Sequence, residues 1–393
     1  MINSLDAEPN GRALDATAGM ESTPSDAPLT ASIRECRPGD LGVASVLFSR
    51  LLRSGENCNL ATLESYLSTL FFEHPWRDPQ LPSLVSVSAR GAITGFLGVL
   101  PVRMTYRGRP VRTALASALM VDSAQRDPTA GARLLRTFLG GPQDLSVSEH
   151  SNALAAGMWL RLGGVAVPAY SMDWLRILRP LQAGIALAKL PPWLAGLSRP
   201  AAGAVEGLLR TDSRRAFRLD QEDPRITRSG LDVDQLADLA VRFAAPYGLK
   251  PAWDASSLRW FLEHAAHKGD WGDLTARVVT GRNKAPLGCY LYYGRPGGVA
   301  FVLQIFSAPE NAVTVVRSLL TDVHALGCAA VRGRAQPDML FALLQTGCIF
   351  KHGTSLTMHS RNEQLLAAVH AGDALLTGLA GEAWSRMNRG KFD

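Results

Sequence analysis

Cysteine is scarce: five in 393 residues (Cys36, Cys58, Cys289, Cys328 and Cys348), with no CxxC pair and no His/Cys cluster of zinc spacing. An odd, scattered set excludes a disulfide framework and predicts reduced thiols in a cytoplasmic protein. Also missing is an uncharged apolar run of ~20 residues, the length a membrane-spanning helix needs. The most apolar stretch, Ile177 to Gly203, is broken by Arg179, Lys189, Pro191, Pro192 and Arg199. No transmembrane segment is expected, although peripheral membrane contact through this stretch stays open. A Lys/Arg stripe with interleaved aromatics is absent, which argues against nucleic acid as a partner. No GxSxG elbow supports a serine hydrolase. His264 and His267, three apart, and His352 and His359 lack carboxylate or cysteine partners in register, so no metal is expected.

What is present describes a folded chain. Hydrophobic residues make up 47% and charged ones 19%, with a net charge of +6. At roughly 150 residues per domain the length predicts two domains. Residues 1–30 carry five acids, one base and no apolar run, and read as a disordered leader. Without that leader 40 bases face 30 acids, a basic balance suited to an anionic cofactor.

Beyond the leader, the hydrophobic period predicts β-α-α-β-β-β-α-β-α-β over residues 31–179, a mixed sheet with helices packed on it. Arg107-Gly108 marks a tight turn between two long strands, and Asp40 is placed to cap the first helix. Residues 180–210 read as a helical, proline-broken connector. Residues 211–393 repeat the pattern, opening on a strand at Ala216–Leu219 and including Thr354 to Met358 as the last strand. Aligning Leu162-Gly163 with Thr346-Gly347, and Ile33 with Phe217, gives an offset of 184 both times, which predicts a duplicated fold. The fold class is therefore α/β (α+β, mixed sheet) in two tandem domains.

One segment carries chemistry. Val121-Asp-Ser-Ala-Gln-Arg126-Asp127-Pro-Thr129-Ala130-Gly131-Ala132-Arg-Leu134-Leu135 joins an apolar strand to a helix through a loop of small residues. A helix start has unpaired N–H groups and partial positive charge, which suit a phosphate. The segment resembles the acyl-CoA-binding motif of the GNAT N-acyltransferases, V-x-P-x-x-(Q/R)-x-x-G-x-(G/A)-x-x-L-L. Val121, Arg126, Gly131 and Leu134-Leu135 fall on its marked positions. Asn152 to Gly163 resembles the family's second motif, N-x-x-A-x-x-x-Y-x-x-x-G, and the resemblance covers about Ala31 to Arg179.

The resemblance implies acyl-CoA, by default acetyl-CoA, lying where the strand of Val121 splays from the strand at Leu145. Backbone groups at Val121 would bond the pantetheine. N–H groups of Arg126, Asp127, Thr129, Ala130, Gly131 and Ala132 would hold the pyrophosphate. Asn152 would bond the pantetheine or shape the gap. Departures from the motif are Ser123 for its proline, Thr129 for its first glycine, with Thr129 available as a helix cap, and Trp159 for its tyrosine. No glutamate lies on the strand Thr113 to Val121. Glu149 and His150, in the polar cluster after the next strand, are the expected base or water relay facing the amine.

In the second half Ser307-Ala-Pro309-Glu310-Asn311 has no glycine, and an acid stands where phosphate would sit. That copy is expected to be degenerate and to wall the acceptor pocket, with one or two of its clustered aromatics facing a sugar. The expected activity is acyl transfer to a small-molecule amine. The tail from Gly372 to Trp384 resembles tails of surface-polysaccharide enzymes, which suggests an amino sugar or sugar nucleotide. Alternatives are a non-catalytic CoA-binding or scaffold tandem and a Fem-type aminoacyl transferase.

Overall fold

The computed structural model describes residues 31–122, 127–187, 219, 222–266, 268, 271–388 and 390–392. The leader, most of the 180–210 connector and the strand expected at 216–218 lie outside these residues. So does Arg126.

The first sheet is built around β3 (Ile93–Tyr106) and β4 (Arg109–Val121), joined by Arg107 and Gly108, both with positive φ (48° and 81°). Such a turn matches the right-handed twist of the strands it joins. The sheet order is β1 (Ser32–Glu35), β2 (Leu84–Val87), β3, β4, β5 (Leu145–Ser151), β15 (Ser355–His359), β6 (Val165–Ala166), and β9 (Leu249–Pro251) also pairs β3. Helix α1 (Leu41–Leu52) and α2 (Leu60–Phe72) bury Phe48, Leu63 and Leu67 in the core that this sheet shares with the second half. Asp40 does not cap α1: its carboxylate accepts two bonds from the Arg34 guanidinium (2.6 and 2.9 Å) and one from the Arg37 N–H (2.7 Å). The charged partner outcompetes the helix start. Asn59 does cap α2, accepting from the Thr62 N–H at 3.1 Å.

The second sheet runs β14 (Ile349–His352), β7 (Met172–Ile177), β13 (Ala330–Arg334), β12 (Val299–Ser307), β11 (Pro286–Gly294), β10 (Asp273–Thr280), β8 (Thr227–Gly230). After α5 (Pro180–Leu187), the helices of this half are α6 (Val233–Ala244), α7 (Ala255–Ala265), α8 (Ala312–Ala325) and α9 (Leu340–Gln345). The first half's are α3 (Ala130–Leu139) and α4 (Ala153–Arg161). The 184-residue offset reappears between β6 and β14, which start at 165 and 349. It also relates Gly163 and Gly347, both with positive φ (87° and 74°), just past α4 and α9. Glycine is favoured there because a helix commonly ends in a left-handed residue.

The halves exchange one strand each. The sequence pattern predicts one strand from Val165 to Leu175, but β7 instead crosses to the second sheet and lies between β13 and β14, antiparallel to both. In return β15 lies between β5 and β6 of the first sheet. The border drawn at residue 179 thus puts β7 on the side of the wrong sheet. A 3₁₀ turn at Pro168–Tyr170 makes the break, because proline cannot donate to a ladder.

Candidate active site

Strands β4 and β5 pair in parallel only over Thr113–Leu115 with Leu145–Val147. Beyond this they part, and a β-bulge helps. Between the pairs Phe96–Met120 and Gly98–Ser117, two β4 residues, Ala118 and Leu119, oppose the single Leu97 of β3. Ala118 takes φ +53°, a conformation that costs an L-residue on the order of 1 kcal/mol. A bulge leaves one residue outside the ladder and bends its strand. The resulting groove, about 190 Å³, is lined by Ala116 to Leu119 on one side and by Ser148, His150, Ser151 and Asn152 on the other. Trp159 closes its floor, fully buried and 6.1 Å edge-on to Phe138. The residue at the motif's tyrosine position is therefore core, and its indole is no acid.

Helix α3, whose Leu135 lines the groove, begins without a side-chain cap. Thr129, expected as that cap, has helical angles (φ −97°, ψ −10°) instead of the extended ones of a capping residue, and its hydroxyl donates to Asp127 Oδ1 (2.8 Å). Asp127 also pairs with Arg133. The Thr129 bond first, and Arg133 with it, holds the Asp127 carboxyl below its ordinary range. The first-turn N–H groups of Gly131 and Ala132 accordingly have no side-chain cap. A Cβ on Gly131 would lie 3.5 Å from Val121 Cγ2 and from Met158 Sδ, ordinary contact distances. Asn152 is the cap of α4: its Oδ1 accepts from the Ala155 N–H at 2.9 Å.

The groove is also lined by Glu382, Met387 and Asn388 of the C-terminal segment. Glu149 has no exposed surface. Its Oε1 accepts from the Gly378 N–H (3.0 Å) and its Oε2 from the Glu382 N–H (2.7 Å). Expected as a base facing the amine, Glu149 is a clamp on the C-terminal segment, since two backbone donors satisfy a buried carboxylate better than solvent can reach it. Its neighbour is placed differently. His150, its side chain 29% exposed, has Nδ1 3.4 Å from Glu382 Oε1 and Nε2 3.1 Å from Asn388 Nδ2. With Asn388 donating to Nε2, the pattern assigns the proton to Nδ1, against the Glu382 carboxylate.

His150 also lines a second cavity of about 460 Å³, between the two sheets, whose walls include Asp173, Trp271, Arg332 and Arg334. The second half thus supplies a wall, and one of its clustered aromatics, Trp271, faces the space. Its own counterpart of the groove is closed. Pairing of β12 with β13 ends at Val302–Gly333, and next to it Gly378 and Leu379 pack in, Leu379 N–H donating to Gln304 Oε1 at 3.0 Å. Glu310 stands in the turn before α8.

Glu382 and Asn388, 232 and 238 residues from His150, were not predicted from the sequence. The only sequence signal near them was the resemblance of the tail. Among the described residues no group of three His, Cys, Asp or Glu side chains is placed to hold a metal, and no helix is long and apolar enough to cross a membrane. His264 stacks on Trp260 at 3.9 Å, and His267 lies outside the described residues.

No family model matches the chain, and no curated protein does. Solved structures do. A GCN5-related N-acetyltransferase from Anabaena variabilis aligns over 85% of this chain and 73% of its own, with a TM-score of 0.56 at 11% identity. A probable N-acyltransferase from Enterococcus faecalis aligns over 84% and 72%, at 0.55 and 10%. A GCN5-related glucosamine N-acetyltransferase region of a fungal multi-domain β-N-acetylglucosaminidase aligns over 86% of this chain and 39% of that one, at 0.51 and 12%. The chain has the fold of the GCN5-related N-acyltransferases. In this chain that fold occurs twice, in two sheets that trade a strand.

Proposed function

We propose that the chain is an acyl-CoA-dependent N-acyltransferase, by default an acetyltransferase, acting on a small-molecule amine. The observation that carries this is the position of His150, on the wall of both the groove and the inter-sheet cavity. Acyl-CoA in the groove supplies an activated thioester carbonyl; the cavity takes the amine. Small side chains at Ala116 and Ala118 in the groove suit such a molecule, and the uncapped start of α3, the helix that lends the groove Leu135, suits a diphosphate. The bulge at Ala118 leaves backbone outside the ladder, where an N–H can meet charge developing on a carbonyl oxygen.

As the neutral amine bonds to the thioester carbon and the C–S bond breaks, His150 Nε2 takes the amine proton, displacing its bond from Asn388, and the departing CoA thiolate is the proton's destination, while Glu382 steadies the ring through Nδ1. Glu149 acts one step back, fixing the segment that presents Glu382. Among amines, an amino sugar or sugar nucleotide is the narrower reading, supported by the flat face of Trp271 in the cavity and by the likeness to the fungal glucosamine N-acetyltransferase region. The five cysteines, free of disulfides, support a reducing, cytoplasmic setting.

The test is calorimetric titration with acetyl-CoA. Gly131→Glu puts a negative group at the start of α3 and is expected to abolish binding. Gly131→Ala, whose Cβ has room, should bind within about threefold of the parent. Equal binding by the parent and the glutamate variant would remove the cofactor from this groove.

A further inference from the structure

Most polar side chains that line the groove between β4 and β5 are already engaged. Ser151 shares a hydrogen bond with Thr357 (2.8 Å), Asn152 caps α4, and His150 is held between Glu382 and Asn388. Ser117 and Ser148 are different. Among the described residues neither hydroxyl has a hydrogen-bond partner. Nor is either oxygen sealed off, as the unbonded hydroxyls of Ser45 and Thr113 are. The two residues are only 2% and 8% exposed, and the groove is the space they border. Buried hydroxyls normally find a partner, so two open ones in one groove call for an acceptor.

The backbone places them alike. Past the last β4–β5 pair, Leu115 with Val147, each strand bulges. On β4 the bulged residues are Ala118 and Leu119. On β5, Ser148 pairs with Thr357 and Ser151 with Ser355, so Glu149 and His150 together oppose the single Leu356. Ser117 therefore stands just before one bulge and Ser148 just before the other, on opposite walls.

Acyl transfer creates an acceptor at this point. As the C–S bond breaks, the sulfur gains negative charge before the proton on His150 reaches it, and the buried Trp159 is no acid. Oxygen and sulfur leave the thioester carbon in different directions. With the backbone of the Ala118 bulge on β4 meeting the oxygen, the sulfur faces β5, where Ser148 is the open donor. At roughly 3.3 Å per strand residue Ser148 lies within about 7 Å of His150, so both can touch one thioester.

We infer that Ser148 is a catalytic residue whose hydroxyl donates a hydrogen bond to the thioester sulfur as it departs. The serine keeps its own proton; the proton carried by His150 ends on the sulfur and CoA leaves as the thiol. This inference rests on the acyltransferase reading.

CoA and desulfo-CoA, alike except for the sulfur, isolate the contact in calorimetry. At about pH 9, close to the ordinary ionisation of a thiol, the parent should bind CoA about tenfold tighter than desulfo-CoA. Ser148→Ala should erase most of that difference while holding desulfo-CoA within about threefold of the parent, which also shows that the variant is folded. The same variant should lower kcat about tenfold or more with acetyl-CoA affinity within about threefold, because the sulfur is charged only as the bond breaks. Equal binding of CoA and desulfo-CoA by the parent, or a preference that Ser148→Ala keeps, overturns the role of Ser148. So does a preference lost in Ser117→Ala and kept in Ser148→Ala. Binding of neither molecule by the parent would instead overturn the acyltransferase reading, and the serine's role with it.

Discussion

At the scale of single residues, neighbours in sequence take different parts because their surroundings differ. Glu149 and His150 are adjacent on β5 and both reach Glu382, Glu149 through its backbone N–H and His150 through its carboxylate. One is a buried clamp; the other faces two cavities. A third titratable side chain shows what burial does alone. His74 sits among Trp76, Trp260, Phe261 and Trp384, its Nδ1 accepting from the Trp76 N–H at 3.0 Å. Desolvation, with lesser repulsion from His264 and Arg103, pushes its pKa down to about 3 from the usual 6.5. The unfolded chain therefore binds a proton that the folded one refuses, and stability falls as pH drops from 6.5 toward 3. Between about pH 7.5 and about pH 5 this one group removes about 2 kcal/mol. His74→Asn retains an acceptor for Trp76 but no titration, so urea melts at the two pH values should show that much less acid destabilisation. An unchanged pH slope would mean that His74 binds its proton equally well in the folded and unfolded chains.

At the scale of elements, the segment from Gly372 to Phe392 has little regular structure yet joins both halves. Leu375, Leu376, Leu379, Trp384 and Phe392 are buried in the shared core, and Arg53 donates to the Met387 carbonyl at 2.8 Å. Gly381 must be glycine: an added Cβ would collide with Glu149 Oε2 and lie 2.9 Å from the Leu376 carbonyl oxygen. Gly381→Ala is expected to cut amine-dependent turnover about tenfold or more, while acetyl-CoA affinity stays within about threefold, since α3 is remote from the clamp. Turnover equal to the parent's would show that the clamp does not position Glu382.

The same scale shows what the sequence made legible. The hairpin at Arg107-Gly108 and the helices α3 and α4 followed from turn chemistry and hydrophobic period, and the groove from a local motif on them. Glu382 and Asn388 were hidden because their meeting with His150 depends on how a nearly irregular tail packs. Alternation identified Val165 to Leu175 and Thr354 to Met358 as strands, but period 2 specifies a face and not a neighbour. The exchange therefore had no sequence signature.

At the scale of the whole molecule, that exchange makes the halves interdependent. Residues 31–179 alone would lack β15, leaving β5 with a bare edge, and would carry β7 with no sheet to join. Exposed edges of this kind favour association between chains. The fragment 31–179 is expected to be aggregated or unfolded, whereas the full chain melts in one cooperative transition covering both halves. A cooperative melt of the soluble fragment, followed by circular dichroism, would contradict this account of the architecture.

The central claim is that His150, backed by Glu382, receives the amine proton where groove and cavity meet. The most direct measurement is amine-dependent thiol release from acetyl-CoA by the parent protein and by His150→Gln, with acetyl-CoA binding measured on both. The account predicts a loss of about a hundredfold or more in turnover with acetyl-CoA affinity unchanged. A variant that turns over within about threefold of the parent would contradict it.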